Sequence, residues 1–369
     1  MMKRFFQSIN RFFLALERKI GPFLSALCVG IMALALAALF TSPRWELFYH
    51  GKGFSNLSMA PFDFSTDSSL RYRILSPLLG YILFLKGPLF KYLMLAFLLL
   101  FHSLVYFFHR RKGFDPAESL GIALLLALST LSFYQLHFPG YNDPVSYVFI
   151  LLILFYRERK FILSLCLTLL LFNHDNTVFL FPFLFLFLLG KDYSFKNFRK
   201  TVFTFLPAIL LYALYRSIVN SISEVGFDTS YYFDKENLRW TWDHVSERLA
   251  EGIFQAFRVG WLIPLIALFE NVRRREYKEN LVMLVGFVFI VSQFFIAYDI
   301  SRLTGLAFPI IILGAWRIRE AYGSAYFTPL IWLLVFINLF IPSLCVGALE
   351  PIPYPPFWWP DLKEYLGIF

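Results

Sequence analysis

Four short stretches of this 369-residue chain gather the side chains that carry acid–base and phosphate chemistry. FPGYNDPVS (138–146), FNHDNTV (172–178) and YDISRL (298–303) each combine a carboxylate with amide, imidazole or guanidinium groups. A fourth, SMAPFDFSTDSSLRYR, sets Asp63 and Asp67 just ahead of Arg71 and Arg73. A carboxylate can take the proton of an attacking hydroxyl. An arginine fork can grip a phosphate through two parallel hydrogen bonds. Together they suit group transfer away from a phosphate leaving group. On that chemistry Asp67, with Asp63 second, is a candidate base, the choice between the two being open. Arg71, Arg73 and Arg302 bind phosphate, with Arg258 in reserve. Tyr141, Asn142, Asp143, Asn173, His174, Asp175, Asn176 and Asp299 complete the substrate-binding set.

Each of these residues also has a plainer reading. Asn-Asp-Pro before an apolar run is a helix-start signal, which would account for Asp143. Residues 173–176 have the composition of an ordinary polar turn, and a histidine beside an aspartate is often structural. Asp299 and Arg302, three apart, can form a simple helical ion pair. Arg71 and Arg73 can snorkel to a membrane interface. Arg216 and Arg258 lie at or within apolar runs, where charges default to a functional hypothesis, but both are near span ends. Grouping on one side of the membrane favours function over these separate explanations.

The elements that must position these residues follow from composition. The chain is 58% hydrophobic and 16% charged, against about 45–50% and 25% in soluble domains, and its mean hydropathy is +0.61. A soluble enzyme, a disordered chain and a disulfide scaffold are excluded. Cys28, Cys166 and Cys345 sit in apolar runs and read as small hydrophobes. The net charge of +9 reads as a bias of cytoplasmic loops toward Lys and Arg, not as nucleic-acid binding. Uncharged runs predict about eleven spans near 21–41, 89–109, 119–137, 145–157, 161–172, 177–190, 201–219, 257–270, 281–298, 303–316 and 327–347. With the N-terminus in the cytoplasm, the connectors HRRK, RERK, KDYSFKNFRK, NVRRREYKEN and RIRE are all basic and all inside, and the C-terminus is extracytoplasmic. The polar stretches then all fall outside.

The chain reads as one all-α integral-membrane domain over 1–369. A first outer loop, 42–88, contains a short re-entrant or interfacial helix over 74–87, where Pro77, Gly80 and Gly87 interrupt the apolar run. A second, 220–256, ends in an amphipathic surface helix with Trp242, Val245, Leu249, Ile253 and Phe257 on one face. In the Pro-rich outer tail, 348–369, Tyr354, Trp358 and Trp359 suit the headgroup layer. With no cleavable signal and a single sequon, a bacterial plasma membrane is the expected location. The nucleotide-binding and metalloprotease fingerprints are absent.

The arrangement resembles the GT-C fold of integral-membrane glycosyltransferases. The likeness rests on acidic residues in the first long outer loop (Asp63, Asp67), on RYRILSPLLGY (71–81), on NHDNTVFLFP (173–182) and on DISRLTGLAFP (299–309). It covers most of the chain as topology and only these stretches as motif. The chain departs from the pattern in having no tight Asp-Asp or Asp-Glu pair, and it shows no sizeable C-terminal soluble domain, which argues against an oligosaccharyltransferase. The resemblance implies a polyprenyl-phosphate-linked sugar as donor, an acceptor glycan, lipid or protein, inversion at the sugar carbon, and no certain cofactor, with a divalent metal ion as an option. The main rival is a transporter or flippase for an anionic lipid or small solute. Against it stand the lack of an internal repeat and polar clusters confined to one face.

Overall fold

The computed structural model describes residues 2–41, 43–64, 69–223, 234–347 and 351–356. In chain order its helices are α1 (Met2–Ile20), α2 (Pro22–Leu39), α3 (His50–Met59), α4 (Leu75–Ile82), α5 (Phe90–Arg111), α6 (Pro116–Ala127), α7 (Thr130–His137), α8 (Asp143–Phe155) and α9 (Lys160–Asn173). Then follow α10 (Phe181–Leu189), α11 (Phe195–Ile222), α12 (Lys235–Ser246), α13 (Leu249–Phe257), α14 (Leu262–Arg273), α15 (Tyr277–Ser292), α16 (Ile300–Thr304) and α17 (Phe308–Phe340). Apart from 3-10 turns, the other regular element is a two-residue antiparallel pairing of Leu344–Cys345 with Ile352–Pro353. Six helical runs are long and apolar enough to cross a membrane: Pro22–Leu39, Gly87–Arg111, Phe195–Ile222, Leu249–Arg273, Tyr277–Phe295 and Ile300–Phe340. A seventh, α6 with α7, is bent by 47°. This is an all-α integral membrane protein.

The basic connectors collect at one end of the bundle, called here the basic end; the acidic turns collect at the other, the polar end. Local signals fix the basic-end starts. Asp115 and Glu118 form a reciprocal capping box around Pro116, so α6 begins there. Tyr106 and Arg110 both donate to the Glu17 carboxylate, tying α1 to α5. The sequence reading began the first span at 21 and assigned no helix before it. The exposed Phe5, Phe12 and Leu14 of α1 fit a helix lying in a membrane surface.

The run α17 is not one span. Gly323 breaks it with φ 73° and ψ 176°. Tyr322 donates to Glu270 at the basic end of α14 (2.7 Å), whereas Asn338 accepts from Arg258 at the opposite end (2.8 Å). A straight helix would carry Asn338 about 24 Å beyond Tyr322, past the end of α14. The chain therefore reverses at Gly323, next to the basic RIRE turn.

Two expectations are corrected. The amphipathic helix expected to end the second outer loop is two helices, α12 and α13, broken at Glu247–Arg248. The face carrying Val245, Gln255 and Phe257 is buried, and Gly252 lies against Ile300, so α13 packs on α16 rather than floating on a surface. Tyr354 is buried against His137 (5.1 Å between ring centres) rather than lying in a headgroup layer. Its backbone N–H donates to Ser343, which pulls the chain inward. Trp358 and Trp359 fall outside the described residues.

The reversal at Gly323 yields a prediction. That backbone region is nearly exclusive to glycine, and a Cβ there would meet nothing within 4 Å. Gly323→Ala should therefore lose about 1–3 kcal/mol from backbone strain alone, read by denaturant unfolding in micelles. An unchanged midpoint would contradict the reversal.

Candidate functional site

The polar end is assembled from turns that the sequence reading had flagged one at a time. Asn142 and Asn173 clamp two of them: each side-chain amide donates to the other's backbone carbonyl. Asn173 also donates to Ser146 (2.8 Å) and accepts from Ser76 of α4. Both asparagines are buried, and these bonds fix the two turns against each other. Asp143 is the first residue of α8, not its cap. Its carboxylate accepts from Gln135 of α7 (2.9 Å).

Arg302 joins the next turn. Its guanidinium is 3.2 Å from Asp299 and 3.9 Å from Asp143. It also lies over the rings of Tyr141 (5.0 Å) and Tyr134 (5.4 Å). Its Nε has no hydrogen-bond partner among the described residues. Asp175 pairs with Arg73 at 2.9 Å and lies 3.5 Å from His174. The His174 Nδ1 accepts from the backbone of Asn176 (3.3 Å), which places the ring proton on the other nitrogen. Asn176 contributes its backbone N–H to this turn, donating to His174 and Asp175. Arg216 of α11 lies over Tyr72 (4.4 Å) and its charge acts on Asp175.

At the centre is a residue the sequence reading passed over. His50, the first residue of α3, sits edge-on to Tyr141 (5.7 Å). The charges of Arg302, Arg73 and Asp299, and the ring of His174, all act on it. Two glycines make this possible. A Cβ on Gly51 would strike the Pro139 carbonyl at 2.4 Å, and Gly140 holds φ +96° against Gly51. The His50 side chain is exposed at this end, with Tyr141 against it and the charges of Arg302, Arg73 and Asp299 around it. Desolvation, then the charges of Arg302 and Arg73, hold its imidazole down to about 4. It is therefore neutral near pH 7. Tyr134, Gln135 and Arg216 are further members absent from the sequence-based set. The usable signal for the first two was a Tyr-Gln pair ending an otherwise apolar run.

Other expected residues are placed elsewhere. The buried Arg71 donates to the Phe64 carbonyl and to Ser223, and its own carbonyl accepts from Tyr215 (2.7 Å), so it binds the first loop to α11. Arg258 is buried and holds three carbonyls. Those of Asn338 and Ile341 end α17, and that of Leu128 is freed by the bend between α6 and α7. That bend explains the charge in an apolar run. Asp63 is exposed beyond α3, and Asp67 lies outside the described residues. Among the described residues no three His, Cys, Asp or Glu side chains form a set able to hold a metal ion, so no chemistry is assigned to one.

His50 gives a sign-definite prediction. Its pKa lies below the ordinary 6.5, so the unfolded chain binds the proton first. Stability should rise with pH between about pH 4 and 6.5 on its account. A carbon-13 histidine titration of the full chain should find His50 still neutral at pH 5. In Arg302→Gln the midpoint should move up toward the ordinary value; an unmoved midpoint would place Arg302 too far away to matter.

Comparison of the chain with protein-family models, with characterised proteins and with solved structures finds no match.

Proposed function

We propose that this chain is a membrane glycosyltransferase of GT-C-like architecture that moves a sugar from a polyprenyl-phosphate-linked donor to an acceptor hydroxyl at the polar end. The observation that carries the reading is the convergence of Arg73, Arg302, His50 and three carboxylates in one recess. On this reading the shorter apolar helices and the two limbs of α17 each cross, giving about eleven spans. The basic end and the N-terminus face the cytoplasm, the C-terminus lies outside, and the membrane is a bacterial plasma membrane.

A second feature supports the donor class. An apolar groove of about 610 Å³ runs between α10 with its preceding turn and α11, lined by Val178, Phe181, Pro182, Phe185, Phe205 and Ile209. Val178 is three residues from Asp175, and Ile209 is about 10 Å along α11 from Arg216. A prenyl chain in the groove sets its phosphate near Arg216 and Arg73, with the sugar toward His50 and Arg302. The acceptor oxygen then attacks the anomeric carbon, the carbon–oxygen bond to phosphate breaks, and polyprenyl phosphate leaves on the arginines. The released proton goes to a neutral base. We assign that role to His50 ahead of Asp67 and Asp63, because His50 faces both arginines. Attack opposite the leaving phosphate inverts the sugar carbon.

The rival reading, transport of an anionic lipid or solute, gains one observation: charged groups also surround a cavity at the basic end. Purified protein offered a panel of radiolabelled polyprenyl-phosphate sugars separates the two. Transfer or release of label by the natural chain is expected. His50→Ala should lose about 100-fold or more, and Arg302→Lys, which keeps charge but loses the fork, should also fall sharply. If Asp67→Ala or Asp63→Ala abolishes turnover and His50→Ala does not, the base assignment moves to that aspartate. Movement of intact lipid across proteoliposomes without sugar release would establish transport instead.

A further inference from the structure

The basic end contains a cavity of about 1480 Å³, walled by all five basic connectors. Nine lysines and arginines line it against four acids. A general excess of cytoplasmic cations accounts for basic loops; it does not fold them around one shared volume. Several of these cations are already matched. Arg157 pairs with Glu158 (3.1 Å), Lys191 with Glu279 (3.1 Å), Arg317 with Glu276 (2.5 Å) and Arg319 with Glu118 (2.7 Å).

Five others have no acid within ion-pair distance among the described residues: Arg111, Lys112, Lys160, Lys200 and Lys278. Lys112 rests on the ring of Trp316 (4.0 Å). Lys160, at the start of α9, and Lys200, on α11, both line the cavity, and the charge of Lys200 acts on Lys160. Two like charges brought together from different helices repel unless an anion lies between them. Thr201 and Thr204 follow Lys200 at helical spacing and also line the cavity, continuing a polar wall.

We propose that this cavity is a binding site for a phosphate-bearing anion, centred on Lys160 and Lys200 and independent of the polar-end chemistry. Lysine ammoniums act as compact charges toward phosphate oxygens, and Trp316 with Lys112 supplies a wall for an attached group. The shared chemistry is a phosphate ester or diphosphate; its source is either a lipid headgroup from the adjacent leaflet or a soluble phosphate.

Binding to the full chain in uncharged micelles tests this. Inorganic pyrophosphate is one probe, followed by calorimetry; phosphatidylglycerol against phosphatidylcholine is the other, followed by native mass spectrometry. Saturable binding is expected from one probe in an Arg73→Gln background, which weakens the polar-end phosphate site, and should be at least tenfold weaker when Lys160→Gln/Lys200→Gln is added. Pyrophosphate binding alone assigns the source as soluble, and phosphatidylglycerol binding alone assigns a lipid. Binding unchanged by adding that pair, or no saturable binding of either probe, overturns the site. A second readout needs no ligand. If the two ammoniums repel in the free protein, Lys160→Gln alone should raise its unfolding midpoint, and a lowered midpoint would also contradict the proposal.

Discussion

The polar end depends on one buried cation. The Arg302 side chain is 7% exposed, and its partners come from three places: α7 through Tyr134, the start of α8 and the turn before it through Asp143 and Tyr141, and the residue that caps its own helix, Asp299. A guanidinium taken out of water is tolerated only with its counter-charges in place, and removing one partner leaves the other charge stranded. The turns at 138–143 and 298–302 are therefore held at a fixed separation. The Asn142–Asn173 clamp extends that constraint to the turn carrying His174 and Asp175, and Ser76 extends it to the first loop. Four distant segments thus share one electrostatic constraint.

Much of this was legible because the chain is so apolar. In a sequence with only 16% charged residues, acidic groups in short turns stand out, and alternating basic connectors order them along the chain. The reversal at Gly323 was also readable from RIRE between two apolar runs. Three things were not. His50 lies in an ordinary-looking loop, and its place over Tyr141 depends on a close approach of Gly51 to the Pro139–Gly140 backbone that no pattern announces. Arg71 and Arg258 show the opposite limit: sequence cannot separate a cation that faces a cavity from one that meets backbone carbonyls. For Arg258 the deciding fact is a helix bend that exposes the Leu128 carbonyl, a tertiary event. Tyr354 looked interfacial because its neighbours are aromatic, but a short strand pairing draws it under His137.

The two ends differ in charge economy. At the polar end the guanidiniums of Arg73, Arg216 and Arg302 face Asp143, Asp175 and Asp299, so the recess is nearly neutral and strongly polar. At the basic end cations outnumber acids around a shared volume. Between them lie aromatic contacts, Phe101 tilted against Tyr147 and edge-on to Phe308, and Phe108 stacked on Phe155. Aromatic rings packed this closely leave little room for charged groups to pass. That layer supports separate chemistry at each end over a shared path, and it is why the two proposals are tested with opposite-end controls.

A nearly neutral recess raises a question for any anion-binding role, since carboxylates repel phosphate. His50 offers an answer. Its imidazole is held neutral by burial and by the charges of Arg302 and Arg73. A phosphate settling on those arginines offsets their charge, so the proton affinity of His50 must rise as the anion binds. Linkage makes the effect mutual: whatever raises the affinity of His50 for a proton is itself held more tightly once that proton arrives. On the proposed reaction, the base would become effective only when the donor is seated, and the proton it takes from the acceptor would strengthen its hold on the departing phosphate. Proton transfer and charge stabilisation would then be a single coupled step, built from a histidine between two arginines.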